Sequence, residues 1–285
     1  MSAAPIPPLR PLIDAYQQLT AGAINYALYN EIVHTHHSTA IEGSTLTLAE
    51  TETLLDKRLT AGGKPLQDHL MALDHQAAFQ RMVELASQQT PLSIECLQEL
   101  AGLVMRQTGG PVNTILGTYD TSQGDLRLSG VYAGTRTFMD AKKVPATLQQ
   151  FVNELNRANE PLRLAPPIRL TEEQLRERYT LSFQAHYQLV TIHPFGDGNG
   201  RTARLLMNYV QQYHRLPLSV VYGQNRTKYV AALEASREQQ QTTPITAFLF
   251  EQLVTFLTEE IQRLYQQQQP KVIPPKRGKG LSFVF

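Results

Sequence analysis

The sequence predicts a mainly α-helical bundle with one short β-hairpin flap. Apolar residues recur at helical spacing through most of the chain, helix start and stop signals bracket those runs, and the period lapses only between Gly109 and Val144. With 285 residues, 42% of them hydrophobic, the chain can bury a full core, and no internal repeat or strong linker divides it.

In chain order, Thr47-Leu-Ala-Glu50 has the spacing of a capping box and opens a helix through Leu54 and Leu55, which Gly62-Gly63 is expected to close. Leu66, Leu70, Leu73, Ala77 and Met82 then recur at helical spacing. Cys96, the single cysteine, cannot form an intrachain disulfide, and its neighbours Ile94 and Leu97 make it a buried structural thiol. Asp125 to Tyr132 alternates in polarity, which predicts the hairpin there. Helical spacing resumes at Val144-Pro145, runs through Leu148, Phe151, Val152 and Leu155, and stops in the loop from Pro161 to Pro167. The next helix starts at about Glu172 and carries Leu175, Tyr179, Phe183, His186 and Val190 on one face. Gln239 to Gln241 separates two further helical runs, and the end of the chain, with three prolines and a basic Lys276-Arg-Gly-Lys279, reads as a loosely held tail.

Lys and Arg total 26 against 25 Asp and Glu, too even a balance to build a field for nucleic acid or an anionic membrane. No basic segment followed by an apolar run opens the chain, and no stretch approaches ~18 uninterrupted apolar residues. The expectation is a cytoplasmic protein without nucleic-acid or membrane partners.

Functional groups concentrate in His193-Pro-Phe-Gly-Asp-Gly-Asn-Gly-Arg-Thr-Ala-Arg204. Two glycines flanking Asn199 allow backbone to approach a bulky anion, and Leu205, Leu206 and Tyr209 continue at helical spacing, so the loop feeds a helix N-terminus. Amide donors and the positive end of the helix dipole meet there, and Arg201 and Arg204 add forked donors. That combination is a phosphate site. Asp197 supplies a carboxylate for Mg²⁺, which needs little more when phosphate oxygens accompany it, and His193 is a candidate general base. Taken singly, a His before Pro is a common helix-end residue and an Asp among glycines a common turn former. Gly198 to Ala203 also fits a dinucleotide fingerprint, but a helical pattern precedes it and no βαβ unit surrounds it; a P-loop fails because no Lys-Ser or Lys-Thr follows.

The twelve residues match the signature H-P-F-x-[DE]-G-N-G-R-x-x-R of the Fic family at every defined position, and the chain thereby resembles that family. Ala185 to His193 is similar to the family's helix leading into the loop, and Arg226-Thr-Lys-Tyr229-Val-Ala-Ala-Leu-Glu-Ala235 to its R-x-x-Y-x-x-A-L segment; the resemblance spans roughly residues 35 to 260. It implies a Fic-type helical bundle organised as an N-terminal helical segment (1–60), a catalytic core (61–262) and a loosely ordered tail (263–285). It implies a protein adenylyltransferase, in which His193 deprotonates a hydroxyl of a target protein that attacks the α-phosphate of ATP. Asp197 would bind Mg²⁺. Gly198, Asn199, Gly200 and Arg201 would hold phosphates, Arg204 would clamp the γ-phosphate, Tyr229 would lie beside the adenine, and Phe195 would be a core anchor. Val131 to Phe138 is similar to the flap that lines the nucleotide and captures the target backbone by strand pairing, with Gly134, Thr135 and Arg136 at the nucleotide. The chain departs from many relatives in reading Thr137-Phe-Met-Asp140 where a Pro-Pro pair is common, and in carrying Arg237 where some relatives place a nucleotide-contacting Asn.

Upstream, Ser38-Thr-Ala-Ile-Glu42-Gly43 matches the family's inhibitory motif [ST]-x-x-x-E-[GN] in its N-terminal arrangement. The resemblance implies that Glu42 pairs with Arg204 and keeps it from the γ-phosphate. Read without that resemblance, Thr39 to Glu42 has capping-box spacing and Gly43 suits a helix C-terminus. His34, His36 and His37 do not form a metal site, because neighbouring imidazoles point to different helix faces and no thiolate accompanies them. Removal of AMP from a modified protein, with Glu42 orienting a water, and a nucleotide-sensing regulatory module are the alternative functions. Self-modification and a homo-oligomer are left open by the resemblance.

Overall fold

The structure is a computed structural model that describes residues 6–23, 25–133, 136–162 and 170–268. Its helices are α1 (Leu9–Thr20), α2 (Tyr26–Ile41), α3 (Leu48–Lys57), α4 (Leu66–Ser87), α5 (Ile94–Met105), α6 (Val144–Leu162), α7 (Glu172–Ile192), α8 (Asn199–Tyr213), α9 (Arg226–Glu238) and α10 (Thr243–Gln268). Two antiparallel pairs interrupt them, β1 (Pro111–Thr114) with β2 (Gly117–Asp120), and β3 (Tyr132–Ala133) with β4 (Arg136–Thr137). The expected mainly α fold is what forms. No described helix is long and apolar enough to cross a membrane.

α8 is the centre of the bundle. Ala203, Leu205, Leu206, Met207, Tyr209 and Val210 are each buried to 1% exposure or less, so apolar surface covers the helix on nearly every side. α7 and α4 pack most extensively on it, with α5 and α2 completing the cover. Because α7 and α8 are joined only by residues 193–198, the chemical loop is the turn of a buried helical hairpin, and its backbone is held from both ends. α1 closes the far side. Its first N–H groups, of Leu9 and Arg10, donate to the Glu172 carboxylate at 2.9 to 3.0 Å, a cap supplied by the first turn of α7.

α2 is seated by polar contacts to an unusual degree. His34, Thr35, Ser38 and Thr39 are buried beside Ile32, Val33 and Ile41. Asn208 Nδ2 of α8 donates to His34 Nδ1 at 3.0 Å, His75 Nδ1 of α4 meets Thr35 Oγ1 at 3.2 Å, and the Gly223 N–H donates to His37 Nδ1 at 3.3 Å. Arg226 Nε donates to the Ile41 carbonyl at 2.7 Å, capping the last turn. The histidines therefore serve docking, and no group of three or more metal-ligating side chains occurs among the described residues.

Several local expectations are corrected. α3 opens on the expected capping box, Thr47 Oγ1 accepting from the Glu50 N–H and Glu50 answering at the Thr47 N–H, but it ends at Arg58 in the left-handed region (φ 58°), before Gly62-Gly63. Asp125 to Tyr132 is largely irregular: the strands lie on either side of it, because Arg127 turns inward where an alternating strand would have sent it to solvent. Cys96 is only partly buried, packed at the edge of the core. α10 runs through Gln268, into the segment assigned to a tail, and the remainder of that segment lies outside the described residues, as does most of the Pro161 to Pro167 loop.

Thr47→Ala removes both the side-chain acceptor and its hydroxyl from the α3 cap. It is expected to lower stability by about 1 kcal/mol, read as a lower urea midpoint at unchanged m-value.

Candidate active site

α7 ends because His193 adopts φ 54°, ψ 60°, a left-handed stop sealed by its N–H to the Leu189 carbonyl at 2.9 Å. Pro194 cannot continue the helix. The turn is then closed by Asn199, whose Oδ1 accepts the Phe195 N–H at 3.0 Å and whose Nδ2 donates to the Phe195 carbonyl at 2.9 Å. Phe195 itself is 1% exposed, the core anchor expected of it. Gly198 starts α8 at φ 76°, where a side chain would also press on Met105 and Val104.

The stop leaves the His193 imidazole at the surface of the turn, lying flat on Phe138 with ring centroids 3.6 Å apart and planes 19° apart. Its Nδ1 faces the Val190 carbonyl at 3.4 Å; a carbonyl only accepts, so Nδ1 carries the proton and Nε2 presents a lone pair outward. Burial pushes its pKa down to about 4; the Val190 carbonyl opposes that, Arg127 adds to it, and Asp197 and Glu42 oppose it. The ring is neutral at pH 7.

On α8, Arg204 lies within the protein with 5% of its side chain exposed, against 35% for Glu42. Its Nη2 donates to Glu42 Oε1 at 2.7 Å and to the Ser38 carbonyl at 2.8 Å, and its Nε donates to Ser38 Oγ at 3.0 Å. Burial by itself would raise the Glu42 pKa, but Arg204, with Arg201 and Arg226 behind it, holds that carboxyl below its ordinary value. Burial likewise opposes the Arg204 charge, and Glu42 together with Tyr229 more than offsets it. The carboxylate also lies over the first turn of α8: a Cβ on Gly200 would stand 2.6 Å from Glu42 Oε1. Glu42 is thus an internal anion seated at a helix N-terminus and on an arginine, the two features that bind phosphate.

The remaining residues singled out by sequence divide. Asp197 is exposed on the turn, Oδ1 accepting the Gly198 N–H at 2.5 Å, while Oδ2 takes no hydrogen bond among the described residues. Arg201 is 4% exposed, with Nη1 donating to the Val104 carbonyl at 3.1 Å and Nη2 meeting Met105 Sδ at 3.0 Å, so its guanidinium ties α8 to α5. Tyr229 is buried, its hydroxyl 2.7 Å from His186 Nε2 and its ring 6.0 Å from the Arg204 guanidinium carbon, a prop beneath that arginine. Gly43, at φ 103°, ends the α2 turn. Gly134 and Thr135 lie outside the described residues, and Arg136 is placed by its backbone alone, in β4. Arg237 pairs with Glu234 at 2.8 Å. Sequence reasoning gave no role to Arg127, which donates to the His193 carbonyl at 2.8 Å, and it carried no signal beyond an arginine between two leucines.

The Fic/DOC family model matches residues 91–211, a stretch that holds the turn, α5 and most of α8. The chain belongs to the Fic/DOC family. Similar proteins include the protein adenylyltransferase Fic of Drosophila erecta, 32% identical over 205 residues, which are 72% of this chain and 37% of the fly protein. The protein adenylyltransferase Fic of Culex quinquefasciatus is 30% identical over 230 residues, 80% of this chain and 41% of that protein. This Fic chain therefore spans about two fifths of the length of the curated relatives it matches. Among solved structures, a Fic-domain-containing signaling protein of Bacteroides thetaiotaomicron superposes with TM-score 0.71 at 21% identity, covering 91% of this chain and 97% of that one. Residues 134–508 of Fic-1 from C. elegans give 0.65 at 23%, covering 90% and 70%. These likenesses show the Fic fold.

Asn199→Ala leaves the buried Phe195 N–H and carbonyl without partners, and is expected to cost roughly 2–4 kcal/mol of stability, measured by urea unfolding. A change below about 0.5 kcal/mol would mean that the turn closes without it.

Proposed function

We propose that this chain is a protein adenylyltransferase held off by its own α2. The observation that carries the reading is the Glu42 carboxylate on Arg204 and over the first turn of α8, an internal anion where an anionic ligand would gain most. The adenylyltransferase names of the fly and mosquito relatives support the chemistry.

In this reading the polyphosphate of ATP rests on the amides of Gly198, Asn199, Gly200 and Arg201 at the start of α8, and Arg204 takes the γ-phosphate once Glu42 gives way. Arg201 and the Asn199 side chain shape the seat: the Asn199 amide is taken by Phe195, and the two Arg201 Nη groups are directed to Val104 and Met105. Tyr229 supports Arg204 from below. His193 Nε2 accepts the proton of the target hydroxyl, whose oxygen bonds to the α-phosphorus as the α–β phosphoanhydride breaks and pyrophosphate leaves. Asp197 suits Mg²⁺: it is a single exposed carboxylate with an oxygen to spare, which suffices when phosphates furnish other ligands. The ion would neutralise charge on the polyphosphate. A target docking on the flap by strand pairing would leave its side chain beside His193. A cytoplasmic location and a homo-oligomer remain part of the proposal.

With Mg²⁺ and α-labelled ATP, Glu42→Gly is expected to raise label transfer at least about tenfold, the factor carried by ~1.4 kcal/mol of lost competition. Adding His193→Ala should remove roughly 10²- to 10⁴-fold of that rate while nucleotide still binds. No transfer by Glu42→Gly, joined to loss of AMP release from a modified protein, would replace this reading with a hydrolase in which Glu42 orients water.

The depressed His193 pKa fixes the sign of the pH response. The base is active when neutral, so kcat/KM of the Glu42→Gly protein should hold level from about pH 8 down to about 5 and fall only below that. A decline starting near the ordinary imidazole value of about 6.5 would show that the ring titrates as it does in water.

A further inference from the structure

We infer that Arg127 is a positioning residue for nucleotidyl transfer: one buried guanidinium clamps both legs of the flap to the turn that carries His193. The inference rests on the adenylyltransferase reading and adds a residue to it.

Arg127 is 1% exposed and pairs with no carboxylate among the described residues. Burying a guanidinium without a counterion is costly, so its acceptors must be well placed. All three nitrogens donate to backbone carbonyls on three separate segments. Nε reaches His193 at 2.8 Å, Nη1 reaches Ser129 at 2.8 Å, and Nη2 reaches Met139 at 2.6 Å. Ser129 precedes β3 and Met139 follows β4, so the two Nη groups hold the two legs of the hairpin while Nε holds the catalytic turn. The backbone repeats the connection: the Arg127 N–H donates to the Pro194 carbonyl at 3.0 Å, and Leu126 bridges Phe195 in antiparallel fashion. Met139 is next to Phe138, whose ring lies on the imidazole, and the Phe138 N–H donates to Val131 on the opposite leg at 3.3 Å.

The carbonyl taken by Nε belongs to the one non-glycine residue of the turn with a left-handed backbone, the residue whose conformation aims the base. The geometry therefore fixes flap and base relative to each other through a single planar fork. A lysine offers one compact charge and cannot donate in three directions in one plane. Placing the flap and the base together matters because misplacement of a reacting group by about 1 Å costs on the order of 10²-fold in rate.

The test compares Arg127→Lys and Phe138→Leu, each in the Glu42→Gly protein, by kcat for transfer, by ATP affinity in calorimetry, and by the NMR signal of the His193 ring, which Phe138 shifts by its ring current. Arg127→Lys is expected to lower kcat about 10²-fold, to leave ATP affinity within about threefold, and to move the His193 ring signal toward its position in Phe138→Leu. Phe138→Leu, which spares the clamp, is expected to lower kcat with ATP affinity kept and so reports on the same alignment should Arg127→Lys not fold. The kcat of the Glu42→Gly parent and an unmoved ring signal in Arg127→Lys would overturn the clamp, as would a kcat loss matched by an equal loss of ATP affinity. If the Glu42→Gly parent transfers nothing, the adenylyltransferase reading fails, and the ring signal in Arg127→Lys still decides the clamp.

Discussion

A guanidinium placed on the central helix of a bundle must be given acceptors, and the way Arg204 receives them organises the N-terminal third of this chain. Its side chain is 5% exposed, so water cannot solvate it, and it lies on the face of α8 that α2 covers. Ser38 supplies a hydroxyl and a carbonyl and Glu42 a carboxylate, all within one turn of α2. Desolvating two charges costs as much as their attraction returns unless further hydrogen bonds complete the shell. Here Arg204 holds Glu42 below its ordinary pKa, and Glu42 with Tyr229 holds Arg204 above its own.

The same requirement explains why α2 is so weakly amphipathic. A helix that answers a buried charge must itself bury polar groups, and His34, Thr35, Ser38 and Thr39 occupy positions that an ordinary docking helix gives to aliphatics. Not every polar atom so buried finds a protein partner: Arg204 Nη1, His34 Nε2, His75 Nε2 and Asn208 Oδ1 do not. In the proposed reading, where α2 would leave Arg204 to a competing anion, a polar seam of this kind suits release better than a wholly apolar one.

The parts of the site legible in the sequence were those whose chemistry is carried by local order. The α3 capping box announces itself at spacing i, i+3, and the dense loop from His193 to Arg204 announces an anion site because a helix visibly follows it. What stayed hidden depends on partners distant in the chain. Arg127 reads as an outward position in an alternating run, and only the three carbonyls around it show that it faces inward. The β1–β2 hairpin was missed for a related reason: Pro111 to Asp120 is short and mostly exposed, so it carries no apolar alternation, whereas the irregular segment after it does.

That division bears on how the twelve-residue signature itself should be understood. Conventional reasoning would assign every polar member of such a loop to the ligand. In this fold Asn199 is consumed in closing the turn around Phe195, and Arg201 in tying α8 to the carbonyl and sulfur at the end of α5. Both act before any nucleotide arrives, by presenting the first amides of α8 in one orientation. In the proposed reaction, His193, Asp197 and Arg204 are the members whose functional atoms would meet a ligand or an exchangeable partner. Loss of activity on changing Asn199 or Arg201 is thus a statement about the scaffold unless stability is shown to be intact. A dense motif can mark a demanding backbone geometry as much as a crowded chemistry, and in the proposed reaction that geometry would leave three side chains for the chemistry.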